Sequence, residues 1–406
     1  MTRGNDALAE ALASATESIR SAASPSGSSK LLGSALSFLA ILVGALVLAI
    51  PVVYLAGSNP LDAYGALLSG SVGDRRAIAE SLISMTPLLF AGMAVAIAFQ
   101  TGLFNIGAEG QLVIGGLAAG YAGASLDLPG PLHLVAALLA GFVGGALWAL
   151  IPALLKARRG VHEVITTIMM NFVAFSVSQF LVKPGGLLVS KTQPQATEKA
   201  ASNALLPRIW EPTRLHAGVL LALAVAVVCW YVIYRTPFGY RLRLTGANAK
   251  AAEFSGISTK RTIVQAFMLS GGLAGLGGAV EVLGVHGRYF DSFSPGYGFD
   301  SIAVALLGAL NPFGVAVAAL FFGMLRAGSI RLQSDAGVSR DMVTVISGLV
   351  VACVALTPLV RRLRSGATHR RRGRPTEPSD GASIGLDGSR PVPVTDPAVG
   401  GSVGSV

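Results

Sequence analysis

Few residues in this chain are placed to do chemistry, and the densest group lies in "GLFNIGAEGQLVIGG", residues 102–116, between two apolar runs. Asn105, Glu109 and Gln111 could donate and accept hydrogen bonds to a polar solute. An ionisable group at the centre of an inserting helix costs about 2.5–3.5 kcal/mol, so it normally faces a cavity or a partner. Gly107 and Gly110 flank Glu109 and permit a non-helical backbone. At membrane depth such backbone survives only where it is buried in protein or lines water. One reading is a broken helix beside a translocation path, with Asn105, Glu109 and Gln111 as polar lining. The other is a turn with Glu109 in the first turn of the next helix, where a carboxylate suits the dipole. Spacing alone does not separate them.

Other polar residues sit where lipid-compatible sequence surrounds them. In "GVHEVITTIMMNFVA", Glu163 and Asn171 are eight residues apart and share a helix face. Glu163 can simply begin the helix, whereas Asn171 lies mid-run and needs a partner, either a neighbouring helix or a solute. The segment 284–301, "GVHGRYFDSFSPGYGFDS", gathers Tyr289, Phe290, Phe293, Tyr297 and Phe299 around Asp291 and Asp300. It fits an interfacial aromatic belt, or aromatic faces beside carboxylates for a flat, hydrogen-bonding ligand. The glycines of 269–284, "LSGGLAGLGGAVEVLG", suit close helix packing. Glu281 within it is not explained by packing.

Catalysis finds no support. The dipeptide Gly-Lys is absent, so there is no P-loop. No Ser/His/Asp, Cys/His or metal-spaced cluster stands out, and no cofactor is expected. Cys229 and Cys353 lie in apolar runs and read as small core hydrophobes.

The elements that must position these residues are membrane helices. The 406 residues are 52% hydrophobic and only 13% charged, against about 25% charged for a soluble domain. Runs long enough to cross the bilayer lie near 33–56, 82–100, 111–127, 133–155, 164–183, 215–234, 263–285 and 342–360. A ninth apolar region, 299–328, is interrupted at Asn311-Pro312. It can be two crossings turning at "LNPFG", or one long crossing at 301–325. The net charge of +10 collects at the ends of apolar runs and in the C-terminal tail. That pattern marks cytoplasmic loops and not a nucleic-acid partner.

Basic clusters at "KARRG" (156–160), at 234–261 and at "VRRLR" (360–364) fix the count. All three lie inside if the chain crosses ten times with both termini cytoplasmic. Ten divides into two five-helix halves, and an odd number per half inverts the second. The expected fold is therefore an all-α polytopic bundle over 31–361. Residues 1–30 and 362–406, polar or rich in Arg, Pro and Gly, are expected to be disordered tails.

The energy source is suggested by the basic loop. Within it, "GANAKAAEFSGIS" carries helix formers from Ala247 to Phe254 and a stop at Gly256. A short cytoplasmic helix between spans can rest in a groove on a motor and take up its motion.

With "GLFNIGAEGQLVIGG", "VHEVITTIMMNFVA", "ANAKAAEFSGIS" and "GYGFDSIAVALLGALNPFG", residues 33–360 resemble the permease subunits of bacterial ABC importers of the nucleoside and simple-sugar branch, within the branched-chain amino acid and ribose permease group. The resemblance implies a plasma-membrane importer for a small polar solute, most readily a nucleoside. It implies a cytoplasmic ATPase, a second permease (copy or paralogue) and an extracytoplasmic solute-binding lipoprotein. It places Phe104, Asn105, Glu109, Gln111, Asn171, Phe299 and Asp300 on the substrate path. It places Ala251, Ala252, Glu253 and Gly256 at the ATPase contact, where the acid that usually leads the motif is displaced to Glu253. The competing reading is an ion-coupled transporter using Glu109 or Glu163.

Overall fold

The computed structural model describes residues 43–55, 57–339, 342, 344–346, 348–349 and 352–353. The expectations for both tails, for 31–42 and for much of the last apolar run fall outside these residues. Among the described residues there is no strand; two isolated bridges, Ala196 with Phe290 and Arg208 with His216, are the only β pairing.

The helices are α1 (Val43–Leu55), α2 (Pro60–Val72), α3 (Arg75–Gln100), α4 (Ala108–Ser125), α5 (Pro131–Arg159), α6 (Glu163–Val182), α7 (Gly218–Arg235), α8 (Pro237–Ala247), α9 (Ala249–Phe254), α10 (Thr259–Glu281), α11 (Tyr297–Leu307) and α12 (Pro312–Ala336). Six of them, α3, α5, α6, α7, α10 with its π-helical extension to His286, and α12, are long and apolar enough to cross a membrane. The pair α1–α2, bent by 118°, can supply a seventh crossing, and α11 is a shorter apolar helix. The protein is thus an all-α polytopic membrane bundle.

Local sequence sets the ends. Asp74 caps α3 by accepting the Ala77 N–H at 2.8 Å. Pro131 and Pro312 occupy the first turns of α5 and α12, where the missing N–H costs nothing. Gly160, at φ 68°, ends α5 just after Arg158 and Arg159, whose charges suit a helix C-terminus.

α3 and α10 are the most enclosed of the long helices. The glycines of α10 explain how it lies so deep. A methyl on Gly275 would come within 2.3 Å of the Gly141 oxygen on α5, and one on Gly115 of α4 within 2.2 Å of the Gly275 Cα. Three backbones therefore touch, which only small residues allow. α5 shows the opposite face of this logic. Leu132, Val135, Leu139, Val143, Leu147, Ile151 and Leu155 recur every three or four positions and all are exposed, making an apolar stripe for lipid.

The 299–328 region breaks near Asn311-Pro312, as expected of two helices turning there: the chain turns between α11 and α12 with Ala309 and Leu310 at φ 51° and 58°. Two differences from the sequence reading have plain causes. The helix expected from Ala247 begins at Ala249, because Asn248 leaves the helical conformation and caps α9 through the Ala251 N–H, while Ala247 ends α8. α2 was not expected; Asn59 and Pro60 start it with a cap and a first-turn proline.

Candidate functional site

Between α3 and α4 the chain runs without helix from 101 to 107, so α4 begins inside the bundle. Its N-cap is Gly107, which offers no side chain to the free N–H groups. Other residues satisfy them. The Asn105 and Gln111 amides pair reciprocally, Asn105 Nδ2 to Gln111 Oε1 at 2.8 Å and Gln111 Nε2 to Asn105 Oδ1 at 3.1 Å. Asn105 Oδ1 also accepts the Gly107 N–H. Asn105 Nδ2 reaches Ser270 Oγ on α10 at 2.8 Å, and that hydroxyl donates to the Ala94 carbonyl on α3. Asn171, from α6, accepts the Gly110 N–H at 2.9 Å and donates to the Ile106 carbonyl at 2.9 Å. All of these side chains are buried, and their polar atoms find partners in one another and in the turn they hold.

α11 also begins inside the bundle. Its N-cap is Gly296, at φ 94°. Ser294 Oγ accepts the Gly296 and Tyr297 N–H groups at 3.3 Å. The Gly298 N–H goes to Glu109 Oε2, 2.5 Å away on the first turn of α4. The two starts are in backbone contact: a methyl on Gly298 would lie 2.3 Å from the Glu109 nitrogen. Behind them Asp300 is paired with Arg326 of α12 at 2.6 Å. The Arg326 guanidinium also donates to the Pro295 carbonyl and lies 4.7 Å above the Tyr297 ring.

A cavity of about 540 Å³ opens over this junction. Glu109, Val113 and Phe299 lie at its helix starts, and the C-terminal half of α6 and the 289–296 segment form its sides. Its wall carries two carboxylates (Glu109, Asp291), the hydroxyls of Ser176, Ser178, Ser292 and Ser294, the Gln179 amide and three aromatic rings (Phe175, Tyr289, Phe299). Among the described residues no Lys, Arg or His lines it. Gln179 donates to Asp291 at 3.2 Å, bridging α6 to the far wall. Such a surface can hydrogen-bond a neutral hydroxylated solute and stack on a flat ring, and it repels anions.

Of the residues expected on the path, Glu109 and Phe299 line the cavity. Asn105, Gln111 and Asn171 lie beneath it in the buried amide network, and Asp300 is engaged by Arg326. Phe104 stands apart, edge-on to Phe99 with ring centroids 4.4 Å apart. Tyr289 and Asp291 belong to the 284–301 group that the sequence offers as either a belt or a ligand surface; the cavity's α6 residues were not singled out for it, since Phe175, Ser178 and Gln179 share one face of α6 but so do ordinary packing residues. The aromatics of 284–301 are only partly a surface belt. Tyr289, Phe293 and Tyr297 are buried, and Tyr289 packs on Phe293 at 5.3 Å. Glu281 is buried near His286, 3.4 Å from Nε2. Glu163 pairs with Lys156 across the α5–α6 turn at 2.7 Å, which accounts for its place without ion coupling.

At the opposite end from α9, the 183–217 segment is tied by hydrogen bonds to the α4–α5 turn and to 287–291. In it the Lys191 backbone N–H and the Ser190 hydroxyl hold the Glu198 carboxyl below the usual carboxylate range. On α9, Ala252 is fully buried, Ala251 half-buried and Glu253 exposed; the Thr259 hydroxyl of α10 donates to Glu253 at 2.5 Å. Gly256 follows at φ 77°.

The family described as the branched-chain amino acid transport system / permease component matches residues 77–355. The guanosine ABC transporter permease protein NupP of Bacillus subtilis is 36% identical over 327 residues, 80% of this chain and 92% of its own. The glucose ABC transporter permease protein TsgB13 of Haloferax volcanii is 35% identical over 324 residues, 78% and 85% of the two chains. A second guanosine permease protein of Bacillus subtilis, NupQ, is 27% identical over 300 residues, 70% and 92%. No solved structure matches the chain.

Proposed function

The chain belongs to the branched-chain amino acid transport system / permease component family, and on that premise we propose that its cavity carries a nucleoside through the membrane. It is the non-catalytic permease subunit of an ABC importer and a multi-pass cell-membrane protein. The observation that carries the nucleoside reading is the likeness to a guanosine permease along 80% of this chain and 92% of that one. The cavity's chemistry supports it: hydroxyls and carboxylates suit a ribose, aromatic rings suit a base, and a wall without cations among the described residues suits a neutral solute. Ion coupling through Glu109 or Glu163 is not favoured, since both carboxylates are already committed within the fold.

The finer arrangement follows as part of the same proposal. α3–α4–α5 and α10–α11–α12 repeat one plan: a long enclosed helix, a helix that starts inside the bundle, then a long helix. α4 runs from the junction toward the 183–217 end, and α11 runs from it toward the α8–α9 end, where Gln100 bonds the Leu310 carbonyl. That opposition supports ten crossings in two inverted halves, with both termini and the basic loop 235–261 cytoplasmic. A separate ATPase then meets α9, a solute-binding lipoprotein docks over 183–217 and 286–300, and a second permease completes the pair. Bacillus subtilis has two guanosine permease proteins of this kind, which favours a paralogue. ATP closes the motor, and α9 passes the motion to α10 through Glu253 and Thr259.

The test is uptake of labelled nucleoside by cells carrying the complete importer. Ala252→Asp buries a charge where α9 meets the bundle, and Gly256→Asp strains a φ of 77° that glycine tolerates. Either is expected to leave the permease in the membrane and to abolish uptake. Uptake at the native rate by both variants would refute motor coupling through α9.

A further inference from the structure

The cavity ends where α4 meets α11, and what closes it there is a single carboxylate. On α4 it touches Glu109 and Val113 but nothing nearer the helix start; on α6 it touches Phe175, Ser176, Ser178 and Gln179 but not Asn171 or Thr167; on α11 it touches only Phe299. Below that level Gly107, Ala108, Gly298, Asn171 and Thr167 are all buried. The cavity therefore has a floor, built from two helix N-termini pressed together.

Two N-termini facing each other is an unfavourable arrangement taken alone. Each carries roughly half a positive charge from its unpaired N–H groups, so the pair repels. Glu109 sits between them. It lies in the first turn of α4 and accepts the Gly298 N–H of α11 at 2.5 Å, so one negative group serves both positive ends. The approach is possible only because residue 298 has no side chain: a methyl there would lie 2.3 Å from the Glu109 nitrogen and 2.4 Å from its Cα. For a solute to leave the cavity toward α8 and α9, these two starts must separate.

We propose that the contact between Glu109 and Gly298 is the closed inner gate of the path, latched by the carboxylate between the two helix starts. The proposal rests on the reading of the chain as an importer permease, but not on the identity of its solute. Glu109 is then a positioning residue: it holds the gate shut until α10, moving with α9 and leading through 282–296 into α11, draws the α11 start away from the anchored start of α4. Opening exchanges the two hydrogen bonds that the Glu109 carboxylate accepts from the α11 approach, the Gly298 N–H and the Ser294 hydroxyl, for solvation by the solute and water in the cavity, a change small enough for a motor to drive and large enough to keep the resting path sealed.

The experiment reads gate opening without any solute. In the full importer reconstituted in vesicles, with Cys229→Ser and Cys353→Ser, Thr167→Cys reports from below the floor, where the native side chain is fully buried. A membrane-impermeant thiol reagent is added from the receptor side, without ATP. The unmodified gate should label slowly. Glu109→Gln keeps the shape but replaces the ionic acceptor with a neutral one, and should speed labelling about tenfold. Gly298→Ala acts from the other side of the contact, prevents the close approach, and should speed labelling at least as much. Native-rate labelling in either folded variant overturns the proposal. Because labelling needs no solute, failure of nucleoside uptake in the same vesicles would count against the nucleoside reading and leave the gate standing.

Discussion

The starts of α4 and α11 solve one problem with different chemistry. Each begins inside the bundle, each has a glycine at its N-cap, and neither glycine can satisfy the free N–H groups. Each recruits one residue from its own approach (Asn105 or Ser294) and one from another helix (Asn171 or Glu109). The borrowed cap of α4 is a neutral amide within a network of amides whose donors and acceptors are matched. The borrowed cap of α11 is a carboxylate facing the cavity, backed by the Asp300–Arg326 ion pair. A saturated amide network has one arrangement and resists change. A charged contact beside a polar cavity can be exchanged for water or solute at modest cost. The first start is built as an anchor and the second as a moving part.

Breaking the anchor should have the largest effect on stability. Asn171→Ala leaves the Gly110 N–H and the Ile106 carbonyl without their partners in a buried site, a loss of about 2–6 kcal/mol for two groups. The expected result is a lowered apparent melting temperature in detergent and reduced membrane abundance. Asn171→Asp keeps the acceptor for Gly110 but not the donor to Ile106, and should fall between alanine and native. A melting temperature for the alanine variant equal to native would remove the distinction between the two starts.

Disturbing the mobile side should cost less. The Asp300 and Arg326 side chains are each about one-fifth exposed (21% and 19%), so solvent already weakens their attraction. Asp300→Asn should destabilise by about 1 kcal/mol, less than Asn171→Ala, while impairing transport more than stability. Thermal unfolding and uptake measured on one preparation decide it. The comparison is inverted if Asp300→Asn unfolds earlier than Asn171→Ala.

The two starts were unequally legible in the sequence. A carboxylate and two amides inside an apolar run, framed by glycines, are conspicuous, but local sequence left a break inside the bundle and a plain turn before the next helix unseparated. What the break leans on was not visible: Asn171 lies 61 residues from Gly110, and Glu109 lies 189 residues from Gly298. Mid-run placement told that Asn171 needs a partner but not which one. Most long helices were legible because lipid demands continuous apolar runs, and Asn311-Pro312 marked the α11–α12 turn. The break at Asn248 was not, since the residue that ends α8 is also a good cap for α9 and local propensity does not choose between them.

The smallest expected effect separates two phenylalanines that sequence patterning treats alike. Phe104 and Phe299 flank the two starts, and each is 46% exposed. Phe299 presents its ring to the cavity, whereas Phe104 packs on Phe99 away from it. If the cavity holds a flat base, Phe299→Ala removes a stacking surface worth about 0.5–1.5 kcal/mol and should raise the KM for nucleoside uptake about three- to tenfold. Phe104→Ala should leave KM unchanged and shift the melting temperature slightly. The informative reversal is a KM that rises for Phe104→Ala and not for Phe299→Ala, because it would move the solute to the other side of the α4 start, against the Phe99 face. The cavity over the junction would then be a passage for water, and the amide network, not the carboxylate, would border the solute.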